Sequence, residues 1–133
     1  MNSMFFNCQS IVNIDFKSFK KSCVYNLESM FYNCKSLIYI NLSSLRLIGK
    51  PFDQYSLRQM FYNCTSLTYL NINSLEIKDK TNIDQMLHGC LNLAEICFDK
   101  ILFQKIAKSF PYYCAHGNNN KEILYQYFLK KIL

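Results

Sequence analysis

The phrase "MFYNC" stands at Met30–Cys34 and again at Met60–Cys64, and each copy carries a similar tail. Extending the comparison gives four copies: "MFFNCQSIVNIDFKSF" from Met4, "MFYNCKSLIYINLSSL" from Met30, "MFYNCTSLTYLNINSL" from Met60 and "MLHGCLNLAEICFDKI" from Met86. The spacings between their leading methionines are 26, 30 and 26 residues. A period of this size makes each copy one supersecondary unit that cannot bury its own apolar face, so neighbouring units must stack to form a core. The chain has 133 residues, half of them apolar or aromatic, which suits a single continuous core.

Two periodicities alternate within a unit. In "SLIYINLSSL" the apolar positions Leu37, Ile40, Leu42 and Leu45 follow an L-x-x-L-x-L pattern, and the Ile40/Leu42 alternation predicts a short strand with one buried face. Ahead of it, Leu27, Met30 and Phe31 recur at spacings of three and four, which predicts a helical turn or two. Each unit therefore reads as a short helix, a tight turn around Asn-Cys, a strand and a return loop. The expected architecture is an α/β repeat: a short right-handed solenoid with its parallel strands on one face. Residues 1–101 hold four units, the first truncated, and 102–133 form a C-terminal helical cap. In that cap "DKILFQKIAKSF" and "KEILYQYFLKKIL" read as amphipathic helices separated by Pro111 and the "HGNNN" loop.

The phrase M-F-x-N-C-x-S-L-x-x-L-x-L-S resembles the BspA-like class of leucine-rich repeat, which is found in bacterial and protist surface proteins, including those of mycoplasmas. Met30, Phe31, Asn33, Cys34, Ser36, Leu37, Ile40, Leu42 and Ser43 carry the match, with their counterparts one unit on. The chain departs from that class in two places. The aspartate usual at the strand centre appears only as Asp15, replaced by Asn41, Asn71 and Cys97, and the fourth unit has Leu87-His88-Gly89 in place of Phe-Tyr-Asn. The resemblance implies adhesion or protein–protein binding, with no chemistry of its own.

Counting back by the repeat, Met1 takes the place of Leu27, Leu57 and Ile83, so the sequence starts inside a unit. It reads as a piece or shortened copy of a longer array, the alternative being that the first half-unit serves as a ragged cap. No basic stretch followed by an apolar run and a small-residue cleavage site opens the chain, which points to a reduced interior, whereas the resemblance points to the cell surface. The compartment stays open between these two. No apolar run reaches the roughly 18–20 residues of a membrane span.

Seven cysteines invite a search for metal or disulfide chemistry, but no C-x-x-C pair occurs. Four of them, Cys8, Cys34, Cys64 and Cys90, are one repeat position. Equivalent positions in stacked units lie roughly 4.8 Å apart; the thiols then point the same way, a poor geometry for a disulfide. Cysteine packs readily as a small hydrophobe, so the ladder reads as structural. Asn7, Asn33 and Asn63 read as turn residues that tolerate unusual backbone angles. His88 replaces an aromatic, and Cys114 with His116 makes too small a set for a metal. Neither histidine has a catalytic context, and no phosphate-binding glycine loop is present. The expectation is a protein that is not an enzyme and uses no cofactor.

The strand face turned from the core remains. Alternate positions place Asn13 and Asp15, Tyr39, Asn41 and Ser43, Tyr69, Asn71 and Asn73, and Glu95 on it, with Tyr39 and Tyr69 stacked beside an amide-rich stripe. Tyrosine offers large contact area with a hydrogen-bonding tip, which suits recognition. The expected function is binding a protein through this face, with a glycan as the second class of partner. The alternative is a structural segment of a longer array. A third reading uses the net charge of +6: Lys17, Lys20, Lys21, Arg46, Lys50, Lys78, Lys80 and Lys100 would form a basic rim for nucleic acid or a membrane surface. Such rims are usually solvated edges, and this reading ranks last.

Overall fold

The structure is a computed structural model. It describes residues 1–19, 24, 26–45, 56–75, 77–78 and 80–98. The expected cap at 102–133, and Lys20, Lys21, Arg46, Lys50 and Lys100 of the expected rim, lie outside these residues.

Each unit contributes one short strand: β1 (Asn13–Ile14), β2 (Tyr39–Asn41), β3 (Tyr69–Asn71) and β4 (Glu95–Cys97). They form a parallel sheet in the order β1-β2-β3-β4. The register follows the sequence repeat: Asn13, Tyr39, Tyr69 and Glu95 form one row, and Ile14, Ile40, Leu70 and Ile96 the next. A strand alternates its side chains between faces, so the Ile/Leu row enters the core and the Tyr/Asn rows point away.

The expected helices are absent among the described residues, where a 3-10 turn at Lys17–Phe19 is the sole helical element. The segment from Leu27 to Cys34 is instead a run of consecutive tight turns. Met30 N–H donates to Leu27 C=O (3.2 Å), Tyr32 N–H to Ser29 C=O (3.1 Å) and Cys34 N–H to Phe31 C=O (3.2 Å). The alternate amides leave the unit: Ser29 donates to Arg58 C=O (2.9 Å), Phe31 to Met60 C=O (2.9 Å) and Asn33 to Tyr62 C=O (2.7 Å). An α-helix needs those N–H groups for its own i−4 carbonyls, so pairing with the next unit excludes it. Ser29 and Asn33 have φ of +52° and +59°, and the same two positions are positive in every unit: Ser3 and Asn7, Gln59 and Asn63, Gln85 and Gly89. The turns bring the chain back to the core every three or four residues. That spacing is also the helical one, which is why the apolar pattern reads as a helix.

Gly89 explains why the fourth unit can depart from the phrase. It occupies the left-handed position of Asn33 and Asn63 with φ +78°, a conformation glycine adopts without cost. The space a Cβ would need there is taken by the Asn63 amide oxygen.

The core lies between the sheet and the turns. In the second unit Leu27, Met30, Phe31, Cys34, Leu37, Ile40, Leu42 and Leu45 are all fully buried, and the third repeats the set with Leu57, Met60, Phe61, Cys64, Leu67, Leu70, Ile72 and Leu75. At roughly 1.5–3 kcal/mol for each large side chain buried, this core, rather than a three-residue strand, supplies most of the stabilisation. Phe5, Phe31 and Phe61 stack with centroids 5.4 and 5.3 Å apart, and Phe16 meets Phe31 edge-on at 6.1 Å.

Candidate functional site

Two surfaces flank the core, and their polar groups are used differently. On the turn face, equivalent side chains satisfy one another from unit to unit. Arg58 lies 3.5 Å from both Glu28 and Asp84. Asn33 donates to the Asn7 amide oxygen at 2.6 Å, and Gln59 to that of Gln85 at 2.7 Å. Phe6, Tyr32, Tyr62 and His88 form a continuous ring stack with spacings of 4.8 Å. His88 thus extends an aromatic column, as its place in the repeat implies. The side-chain oxygens of Asn26, Ser56 and Asn82 accept from the amide two residues on, opening each run of turns. These pairings are the work of a structural face.

The cysteine ladder belongs to the same scaffold. The thiols of Cys34, Cys64 and Cys90 donate to the carbonyls of Phe5, Phe31 and Phe61 in the preceding units, at 3.0, 3.1 and 3.1 Å. All three are buried and unpaired with another sulfur. Burial raises the Cys34 thiol from the ordinary 9.0 to about 11 and that of Cys90 to about 12, and pushes Cys64 upward as well. The folded state therefore holds these protons more tightly than the unfolded chain. Their stabilisation is complete below pH 9 and is lost as pH rises from 9 through 11–12. Urea midpoints are expected to be flat from pH 7 to 8.5 and to fall above 9. At pH 8, a thiol reagent added to native protein should leave Cys34, Cys64 and Cys90 unmodified, while the partly exposed Cys8 and Cys97 react. Rapid native labelling of Cys64 would contradict this packing.

Among the described residues, no three His, Cys, Asp or Glu side chains converge where a metal could sit. Nor is any helix there long and apolar enough to cross a membrane.

The strand face brings together the residues expected there. The Tyr39 and Tyr69 rings stack at 4.7 Å and 8°, and the register sets Asn13 and Glu95 beside them. Asn41 donates weakly to the Tyr39 hydroxyl at 3.4 Å, and the Tyr69 hydroxyl lies 3.8 Å from the Cys97 sulfur. Contact with Cys97 raises the Tyr69 hydroxyl above its ordinary value, keeping it a neutral donor and acceptor.

One row has a second duty that the sequence pattern concealed. Asp15, Asn41 and Asn71 each accept through Oδ1 from the amide two residues on, in Lys17 (2.8 Å), Ser43 (2.9 Å) and Asn73 (3.1 Å). This Asx turn ends the strand: Asn41 and Asn71 close β2 and β3 and Asp15 follows β1, so the position expected at the strand centre lies at its end, where Asp and Asn interchange. One oxygen of each side chain is committed to folding. Ser44 and Ser74 follow with hydroxyl bonds of 2.7 Å to the carbonyls of Phe16 and Leu42 one unit earlier. Their recurrence in the repeat was the available signal. By contrast, among the described residues the side chains of Asn13, Ser43 and Asn73 have no hydrogen-bond partner. At the β1 end the face sinks into a cavity of about 350 Å³, walled by Asn13, Asp15, Lys17, Tyr39, Asn41 and Ser43. Of the expected rim, Lys17 belongs to this wall, where it faces Asp15 at 3.9 Å.

No curated protein and no solved structure matches the chain. Residues 1–47, the first unit and most of the second, match the family described as "Mycoplasma protein of unknown function, DUF285".

Proposed function

We propose that the chain is a non-catalytic leucine-rich repeat module of BspA-like type, a short solenoid that binds a protein partner through its Tyr/Asn strand face. The carrying observation is the contrast between its two surfaces. Turn-face polar groups are matched to one another, whereas the strand face offers a stacked tyrosine pair beside amide and hydroxyl groups with spare capacity. Rigid tyrosines of this kind give contact area at small entropic cost, and unspent amides supply the directional bonds that make contact selective. The family match, limited to residues 1–47, is compatible with this reading and names no partner.

The test is capture from lysate with each bound protein identified by mass spectrometry. The Tyr39→Ala/Tyr69→Ala variant is expected to lose the specific partner, with binding down by about tenfold or more, as for a hot-spot pair. The turn-face variant Tyr32→Ala/Tyr62→Ala should retain it. Equal capture by wild type and the strand-face variant would overturn the strand face as the binding surface, and no specific capture by wild type would leave the chain as a structural segment without its own binding role.

A further inference from the structure

The stacked tyrosines end at an unfilled position. Tyr69 covers one face of the Tyr39 ring. The other face looks toward Asn13, its register partner in β1, a side chain too small to cover a ring. Tyr39 is 43% exposed, and the cavity of about 350 Å³ opens on this side, lined by Tyr39 and Asn13 but not by Tyr69. That volume lies at the low end of the roughly 300–1,000 Å³ typical of small-ligand sites, room for one ring-sized group continuing the stack.

The wall chemistry decides which kind of ring. Asp15 has one carboxylate oxygen in its Asx turn and the other 3.9 Å from the Lys17 ammonium, a loose exposed pair. The Asn13 amide and the Ser43 hydroxyl have no partner among the described residues. A phenylalanine side chain seated here would cover these groups without bonding them, and the single hydroxyl of a tyrosine cannot bond all of them, at about 1–3 kcal/mol for each polar group left unsatisfied. A polyhydroxylated ring bonds them instead, with its hydroxyls at the rim and its C–H face on the electron-rich face of Tyr39. Asp15 and Lys17 cancel in charge, so nothing in the wall favours an ionic ligand. We infer that the cavity between β1 and β2 is a binding site for a neutral pyranose ring, stacked on the free face of Tyr39 and hydrogen-bonded by Asp15, Asn13 and Ser43. This deepens the proposed recognition role of the strand face and rests on it: the partner's glycan, rather than its polypeptide alone, would occupy this end.

Saturation-transfer NMR on the full chain tests the site. The probes are the methyl glycosides of glucose, galactose, mannose and N-acetylglucosamine, with methyl glucuronoside and N-acetyltyrosinamide as competing chemistries. At least one neutral glycoside is expected to receive saturation. Tyr39→Ala should abolish the signal. Asp15→Asn, which keeps the Asx turn as Asn41 does, should weaken affinity about tenfold, the equivalent of one charge-assisted hydrogen bond. Tyr62→Ala on the opposite face should bind as wild type does. Silence across the neutral glycosides, a signal that survives both Tyr39→Ala and Asp15→Asn, or preferential binding of the glucuronoside or N-acetyltyrosinamide would each overturn the inference. Those failures leave partner capture through Tyr39 and Tyr69 intact, whereas failure of capture with glycoside binding preserved would remove the protein partner alone.

Discussion

Phe31→Ala is expected to lower unfolding free energy by about 3–5 kcal/mol, the usual range for removing a fully buried phenylalanine. Its ring stacks between Phe5 and Phe61 and receives the edge of Phe16, so truncation opens a void that touches three units. Phe5 and Phe61 are held by backbone bonds of 2.9 Å to Met30 and Met86, and the Phe16 carbonyl by the Ser44 hydroxyl at 2.7 Å, so the walls can collapse little. Against a total stability of about 5–15 kcal/mol for a native domain, such a loss leaves the chain marginal or unfolded. Urea denaturation monitored by tyrosine fluorescence reads it. Tyr32→Ala removes a ring from the partly exposed stack and should cost about 0.5–1.5 kcal/mol beyond its lost burial. Equal losses from the two substitutions would contradict the division between core and turn face.

A second large effect is expected at Asn33, where the order of substitutions separates a turn from a helix. Its φ of +59° costs an ordinary L residue about 1–2 kcal/mol, more with a branch at Cβ. Its side chain also bonds Asn7 at 2.6 Å, a net contribution of about 0.5–1.5 kcal/mol. Asn33→Val should therefore lose about 1.5–3.5 kcal/mol by the sum of these two effects. Asn33→Gly keeps the backbone conformation, as Gly89 does in the fourth unit, and should lose about 1 kcal/mol or less, chiefly the side-chain bond. In a helix the order reverses, because glycine is there the worse residue. Paired denaturation curves give the order directly. A glycine variant less stable than the valine variant would overturn the turn assignment.

How far the sequence could be read depended on which signal carried each feature. The strands were legible because Ile40 and Leu42 alternate and because four copies fix the register, Tyr39 beside Tyr69 and Ile40 beside Leu70. The inward roles of Met30, Phe31 and Cys34 were legible for the same reason: stacked copies of an apolar position leave it no route to solvent. The turns were misread as helices because Leu27, Met30, Phe31 and Cys34 have helical spacing whether the chain winds continuously or in successive turns. What decides between them is where alternate amides donate, and that depends on the neighbouring unit. Asn33 signalled a left-handed position, but Ser29, Gln59 and Gln85 share that conformation without a residue type that announces it. On the candidate site, alternation placed Tyr39, Asn41, Tyr69 and Asn71 together correctly. It could not show that Asp15, Asn41 and Asn71 each commit an oxygen to ending a strand. The cavity beside Asn13 was equally hidden, since it arises from a small residue standing next to an unshared ring face.

The recurrence of "MFYNC" is a stacking period that places equivalent side chains of consecutive units in contact. Through-space NMR contacts among the aromatic rings of a selectively labelled tyrosine sample test it most directly. Ring-to-ring contacts are predicted for Tyr39 with Tyr69 and for Tyr32 with Tyr62, whose centroids lie 4.7 and 4.8 Å apart. Absence of both contacts, together with the i to i+3 and i+4 backbone pattern of a helix across residues 27–34, would contradict it.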